Sequence, residues 1–168
     1  HVAFAHKGEV VLNYFLPNGI RHNEQSVIVV TKLENEGKGL NLTKEVIDGI
    51  LHHSGLRSAS DDKGASTLEG RVVQVSDKIA YINHDIDDSI RAGLLSENDI
   101  PKELLNTLGK THSERIETLV LDFINTSNKN LEKGVNSVWL SKEIEEAMTE
   151  IRAFMFKNIY LSEELKEE

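Results

Sequence analysis

The strongest hint of chemistry in this 168-residue sequence lies between Asp77 and Asp88. On a helix turning about 100° per residue, Asp77, Tyr81, His84, Asp85 and Asp88 share a sector of roughly 100°. Three carboxylates, an imidazole and a phenol thus face one way, with one nearby cation, Lys78. Like charges stacked one and two turns apart repel. The pattern therefore points to a cationic or polar occupant, such as a metal, facing the stripe. The plain alternative is a solvated face.

A second set stands at the start, His1, His6 and Glu9. His6 and Glu9 are three apart, which makes them neighbours on a helix. A carboxylate beside a histidine suits an oriented proton donor; the plain alternative is a surface ion pair. His22, in RHNEQS, precedes a helix and reads on spacing alone as a neighbour of its cap. His52 and His53 are adjacent, so they point about 100° apart on a helix and do not read as a pair. His84-Asp85 has the look of a metal doublet but lacks a third and fourth ligand around it. The sequence holds neither a zinc-finger spacing nor an HExxH helix, the self-contained metal signatures.

The elements that must position these residues are helical. The stretch 68–88, LEGRVVQVSDKIAYINHDIDD, reads as one long helix whose opposite arc carries Val72, Val75, Ile79, Ile82, Ile86 and Ile90. Ser66 with Glu69 forms a capping-box signature at its start, and Gly93 stands at its C′ position. Upstream, an apolar helix runs to the turn Pro17-Asn18-Gly19, a second covers about Glu24–Glu36, and Thr43 caps a third through His53. Residues 55–66, GLRSASDDKGAS, read as a loop or as a place where chain is missing. Downstream, Ser96 and Pro101 start a short helix ending near Gly109. Thr111 and Glu114 box the next helix, which carries Ile116, Leu119, Val120, Phe123 and Ile124. A polar loop over 126–135 leads to a last helix from about Lys142 to Asn158, and the acidic tail EELKEE frays. VVQV is the one brief strand-like stretch. The fold class expected is all-α.

Composition narrows the function. With 39% hydrophobic and 28% charged residues the chain is globular rather than disordered. A net charge of −9 argues against a general nucleic-acid binder, which needs a basic surface. The absence of cysteine excludes disulfide and thiol chemistry and fits a cytoplasmic location. No apolar run approaches the roughly 18 residues of a membrane span, and no secretory signal is visible. The first residue is His, not Met, consistent with a fragment.

Taken together, these segments resemble the HD-domain deoxynucleoside triphosphate triphosphohydrolases, the dGTPase-like enzymes, over nearly the whole chain. That family carries a block of the form His-Asp-x-Gly-His-x-Pro-Phe-x-His-x-Gly-Glu, and His1, Phe4, His6, Gly8 and Glu9 match its second half. RHNEQSV at 21–27 and GLNLTKEVIDGILHHSG at 39–55 are similar to its next segments. SDKIAYINHDIDDSIRAGLL at 76–95 is the most specific match. ERIETLVLDFINTS at 114–127 and SKEIEEAMTEIRAFMFKNIYL at 141–161 resemble the helical region that follows in bacterial members. The resemblance implies the C-terminal portion of an HD-domain core over 1–95 and a helical accessory region over 96–168.

The resemblance also implies roles. Asp77 is a metal ligand, Lys78 reaches the triphosphate, Tyr81 packs on the deoxyribose, and Asp85 accepts from the 3′-hydroxyl. His6 with Glu9 forms the catalytic pair near the α-phosphate, and His1 and His22 line the phosphate site. The implied reaction is attack of a metal-activated water on the α-phosphorus, releasing deoxynucleoside and tripolyphosphate. The implied cofactor is a divalent metal, Mg or Mn or similar. The implied partners are a dNTP substrate, a second dNTP as effector, and further copies in a homo-oligomer. Val2-Ala3-Phe4-Ala5 departs from the family block, which has Pro before Phe and Gly after it. The remaining metal ligands, a His and the His-Asp doublet, belong upstream of His1, so of four ligands only Asp77 is present. A lone carboxylate does not hold a metal tightly, and the chain by itself is expected to be inactive. Two other readings follow. One is a catalytically inactive helical module of HD descent that binds nucleotides or a protein. The other is an HD-type phosphohydrolase acting on a nucleoside monophosphate or cyclic nucleotide.

Overall fold

A computed structural model describes residues 5–55 and 64–160, and within them every regular element is helical. The all-α expectation is met. Most of the loop expected over 55–66, and the acidic tail, lie outside the described residues. The chain forms two compact units, His1–Val75 and Ser76–Glu168.

In the first unit, α1 (Ala5–Phe15) ends at the Pro17-Asn18-Gly19 turn. The Asn13 side chain closes that turn. Its amide donates to the carbonyls of Glu9 and Ile20 at 2.9 and 3.0 Å, and its oxygen accepts from Ile20 N–H at 2.6 Å. α2 (His22–Ile28) passes into a π-helical turn, Val29–Leu33. The helix expected through Glu36 therefore loses its α-helical register early. Asn35 and Glu36 are left-handed, with φ of 55° and 57°. The chain then doubles back so tightly that a Cβ on Gly39 would lie 2.0 Å from the Thr31 carbonyl oxygen. Only glycine fits there.

Thr43 caps α3 (Lys44–Leu51) as expected, its hydroxyl accepting from Val46 N–H. α3 crosses the start of α4 (Leu68–Arg91) at a glycine pair, since a Cβ on Gly70 would come within 3.5 Å of the Gly49 Cα. Gln74, buried on α4, accepts from Ala65 N–H at 3.0 Å and donates to the His52 carbonyl. These amide bonds hold the unit where apolar burial is sparse. Val10, Tyr14 and Phe15 of α1 are 69%, 85% and 73% exposed.

The second unit holds the hydrophobic core. α4 contributes Val75's successors Ile79, Ile82 and Ile86, all buried, while Val72, expected on the same arc, is exposed. A 3₁₀ turn (Glu97–Asp99) and α5 (Lys102–Leu108) follow, adding Ile100, Leu104 and Leu108. α6 (His112–Glu132) starts at the expected Thr111–Glu114 box and buries Leu119 and Phe123. α7 (Lys142–Met155) buries Ile144, Met148 and Ile151, and continues as a π-helical turn, Phe156–Tyr160.

Two expectations need correction. The cap of α4 is Thr67, whose hydroxyl accepts from Gly70 N–H at 3.0 Å, not Ser66. Ser66 instead gives both its N–H and its hydroxyl to Asp48 at 2.7 Å. Nor is 126–135 a polar loop, because α6 runs on to Glu132. Its polar residues are compatible with a helix that has one wet face, and no proline or glycine interrupts it before Gly134. Ser127 turns inward there and meets the backbone N–H of Trp139 at 3.2 Å.

One buried polar contact fixes α4 against α6. Arg115, 3% exposed, donates from Nε to Asn83 Oδ1 at 3.2 Å and from Nη1 to the Lys110 carbonyl at 3.1 Å. Asn83 is itself fully buried and donates to the Ile79 carbonyl. Burial pushes the Arg115 guanidinium below its ordinary pKa, while Asp87, Glu97 and Glu114 oppose that. Asn83→Ala is expected to lower the unfolding free energy of the intact protein by about 2 kcal/mol, since it strips an acceptor from a buried cation. The exposed Asn106→Ala serves as control, at under about 0.5 kcal/mol. Equal midpoints for the two variants in urea would contradict this.

Candidate functional site

The first unit gathers histidines around Glu9. The Asn13 lock on the α1–α2 turn brings the first residue of α2, His22, back onto α1. His22 Nδ1 lies 2.9 Å from Glu9 Oε2, with both side chains mostly buried. A ring nitrogen facing a carboxylate donates, so Nδ1 carries hydrogen and Nε2 is the acceptor of the neutral ring. Ser54 Oγ lies 3.3 Å from Nε2. The His53 ring meets His22 edge to face, 5.2 Å between centroids at 80°. His53 donates from Nδ1 to the Ile50 carbonyl at 2.8 Å, which again directs Nε2 outward from its own backbone. Two imidazoles oriented through Nδ1 suit proton transfer or contact with an anion.

His52 points elsewhere, to the Asp48 carboxylate at 3.0 Å. The helix expected through His53 ends at Leu51, so His52 and His53 both lie just past it and turn to different partners there. The contact of His53 with His22 has no local signal in the sequence, because His22 comes from another helix. His1 lies outside the described residues, and His6 is placed on α1 by its backbone. The described partner of Glu9 is His22.

In the second unit, Tyr81 and Asp85 do come together. With Ile82 they line a cleft of about 130 Å³, closed by Arg152, Met155 and Phe156 at the end of α7. The volume is below the roughly 300 Å³ of a complete small-molecule pocket, so the cleft is a subsite, wide enough for one small ring. Its lining sets an acceptor, a phenol and an aromatic face beside a guanidinium. Arg152, in the last turn of α7, and Phe156, which opens the π-helical turn after it, are four apart, and that spacing is the one sequence signal for their pairing. The rest of the Asp stripe divides. His84 turns to His112 of α6, with ring centroids 5.6 Å apart, and Asp88 is exposed.

Lys78 lies half-buried with its ammonium 5.4 Å over the ring of Trp139. Burial pushes its pKa below the ordinary lysine range; Glu145 opposes this, and the like charge of Arg152 adds to it. Asp77 is half-buried one turn before Tyr81. Among the described residues no three His, Asp or Glu side chains form a metal-binding group. Asp77 can contribute one carboxylate to a metal, but the described residues do not build a metal site.

A larger groove of about 680 Å³ lies in the first unit, lined by Val46, Ile50, His53 and Val73, with Glu45 and Glu69. Its charged lining is acidic, which disfavours a phosphate ligand. Among the described residues no helix is long and apolar enough to cross a membrane.

No family model matches the chain. It is 61% identical over its full length to a deoxyguanosinetriphosphate triphosphohydrolase-like protein of Clostridium tetani, and 58% identical to one of Clostridium perfringens. A protein of the same name from Caldanaerobacter subterraneus is 52% identical over 99% of the chain. The chain spans about half the length of these relatives, 48%, 48% and 46%.

Asp48 provides a pH test of the scaffold behind His52 and α3. The Ser66 N–H and hydroxyl hold its carboxyl below the ordinary carboxylate range. As pH falls, the unfolded chain takes up this proton first. The stabilisation is therefore complete above the ordinary carboxylate pKa of the unfolded chain and is lost as pH falls through the lower folded value. Asp48→Asn is expected to flatten that acid limb in thermal unfolding followed from pH 6 down to pH 2. An unchanged limb would contradict it.

Proposed function

We propose, from the full-length homology of this chain to the deoxyguanosinetriphosphate triphosphohydrolase-like proteins, that the protein carrying it hydrolyses deoxynucleoside triphosphates, dGTP among them, to deoxynucleoside and tripolyphosphate. The observation that carries the reading is the cleft where Tyr81, Asp85 and Arg152 meet. A nucleotide needs an acceptor for a sugar hydroxyl, a surface for the sugar ring, and cations for phosphates. Asp85, Tyr81 and Arg152 are those three groups. Lys78 is close enough to feel the charge of Arg152, and an anion between two like charges removes their repulsion.

In this reading Tyr81 packs on the deoxyribose, where a 2′-hydroxyl is crowded out, and Asp85 accepts from the 3′-hydroxyl. Lys78 and Arg152 stabilise charge on the phosphate oxygens. Water attacks the α-phosphorus, and the bond from that phosphorus to O5′ breaks. The new P–O bond stays with the tripolyphosphate, and O5′ leaves with a proton as the deoxynucleoside. Glu9 and His22, joined at 2.9 Å, with His6, supply and remove protons. His1 belongs to the phosphate site. A divalent metal bound through Asp77 and ligands from elsewhere in the whole protein adds Lewis-acid chemistry when present. Assembly into a homo-oligomer and a second dNTP acting as effector complete the reading.

A second reading, a catalytically inactive nucleotide- or protein-binding module, is favoured by the lack of a three-ligand metal group among the described residues. A product assay separates the two. The intact protein, given each dNTP with Mg²⁺ or Mn²⁺, is expected to release tripolyphosphate. Asp77→Ala should lower the rate at least about a hundredfold, as loss of a group stabilising the transition state does. Tyr81→Ala should mainly weaken the preference for dGTP over GTP, because it removes the group that crowds a 2′-hydroxyl. No tripolyphosphate from any dNTP would falsify the hydrolase reading.

A further inference from the structure

Trp139 is the one tryptophan of the chain, and it is 4% exposed. It lies in the connection between α6 and α7, whose residues Val138, Trp139 and Leu140 are all buried. That connection is tied down along its length. Ser127 Oγ bonds the N–H of Trp139 at 3.2 Å and reaches its carbonyl at 3.5 Å. Asn130 donates to the Ser137 carbonyl at 3.4 Å, and Asp122 accepts from Ser141 N–H at 2.8 Å. The indole is thus a fixed surface, and the flexible partner in the contact is Lys78, 5.4 Å above it. A lysine stem has four rotatable carbons and loses much rotamer freedom when it must hold one position. An aromatic face in reach of the ammonium reduces that freedom before a ligand arrives.

We infer that Trp139 is a positioning residue: it holds the Lys78 ammonium next to the Tyr81–Asp85–Arg152 cleft, ready for a polyphosphate. Trp139 touches no ligand itself and acts through Lys78. Three features agree with this. Lys78 stands one turn before Tyr81 on α4, its neighbour on the helix surface. Its charge is felt by Arg152, which lines the cleft, and by Glu145 on the same helix as Arg152. The contact is made by the face of the indole rather than by its N–H, which has no hydrogen-bond partner among the described residues. The inference rests on the proposed reading in one respect, that phosphates of the ligand lie beside the cleft, within reach of Arg152 and Lys78.

The test is a double-mutant cycle in the intact protein, with inorganic tripolyphosphate as the binding probe and dGTP as substrate. Trp139→Leu is expected to weaken tripolyphosphate binding and raise the KM for dGTP about tenfold, with kcat within about threefold. Trp139→Phe, which keeps an aromatic face, should recover most of that loss. In a Lys78→Ala background Trp139→Leu should add less than twofold, because residues acting as a unit are non-additive. Multiplying losses, or a Trp139→Leu protein that binds tripolyphosphate like wild type, would overturn the inference.

Should Trp139→Leu fail to fold, fluorescence decides. Tripolyphosphate should change the Trp139 emission, read as wild type minus Trp139→Phe, and Lys78→Ala should abolish that change. No change at saturating tripolyphosphate in the wild type would overturn the inference. The two claims fail separately. A protein that binds tripolyphosphate with the expected coupling but hydrolyses no dNTP refutes the hydrolase reading alone. A protein that hydrolyses dNTPs while the two losses multiply refutes the role of Trp139 alone.

Discussion

The hydrogen bond from Arg115 to Asn83 is the constraint on which the candidate cleft depends. Both side chains are buried, and a buried guanidinium without an acceptor is costly. Asn83 therefore fixes the rotation of α4 about its own axis. On a helix, Asn83 lies about 180° from the midpoint between Tyr81 and Asp85. Holding one side of the helix on α6 presents the other side to the end of α7, where Arg152 and Phe156 stand. The apolar residues Ile79, Ile82 and Ile86 supply the burial energy but tolerate rotation by a fraction of a turn. The polar pair does not, because its geometry is directional.

How much of this was legible in the sequence depended on whether the signal was local. The Thr43 cap and the Thr111–Glu114 box rely on bonds three residues apart, and both are present. Ile79, Ile82 and Ile86 recur at helical spacing and are buried. Ser66 does not cap α4 because two hydroxyl residues, Ser66 and Thr67, compete for one cap, and Asp48, eighteen residues back, takes Ser66. The stretch 126–135 is helical as far as Glu132 despite its polar composition, because no proline or glycine breaks it before Gly134. Gln74, Asn83 and Arg115 carry no sign of burial in their types; each is buried because a partner from another segment satisfies it.

The site followed the same rule. Tyr81 and Asp85, four apart on one helix, were paired by spacing and do share a cleft. Glu9 and His22 are thirteen residues apart, and the 2.9 Å contact between them arises from the Asn13 lock on the intervening turn. His53 and Arg152 reach their neighbours only through tertiary structure. The histidine cluster and the cleft belong to different compact units, with oriented imidazoles in the first and a small opening beside a guanidinium in the second. The relatives that match this chain are about twice as long as it is, so chemistry that needs further metal ligands is a property to be sought in the whole protein.

The most direct measurement of the central claim is a crystal structure of the intact protein with a non-hydrolysable dGTP analogue. The account predicts the deoxyribose against Tyr81 with its 3′-hydroxyl on Asp85, and phosphate oxygens within hydrogen-bond reach of Arg152 and Lys78. An analogue bound elsewhere, with the Tyr81–Asp85–Arg152 cleft occupied by solvent, would contradict it.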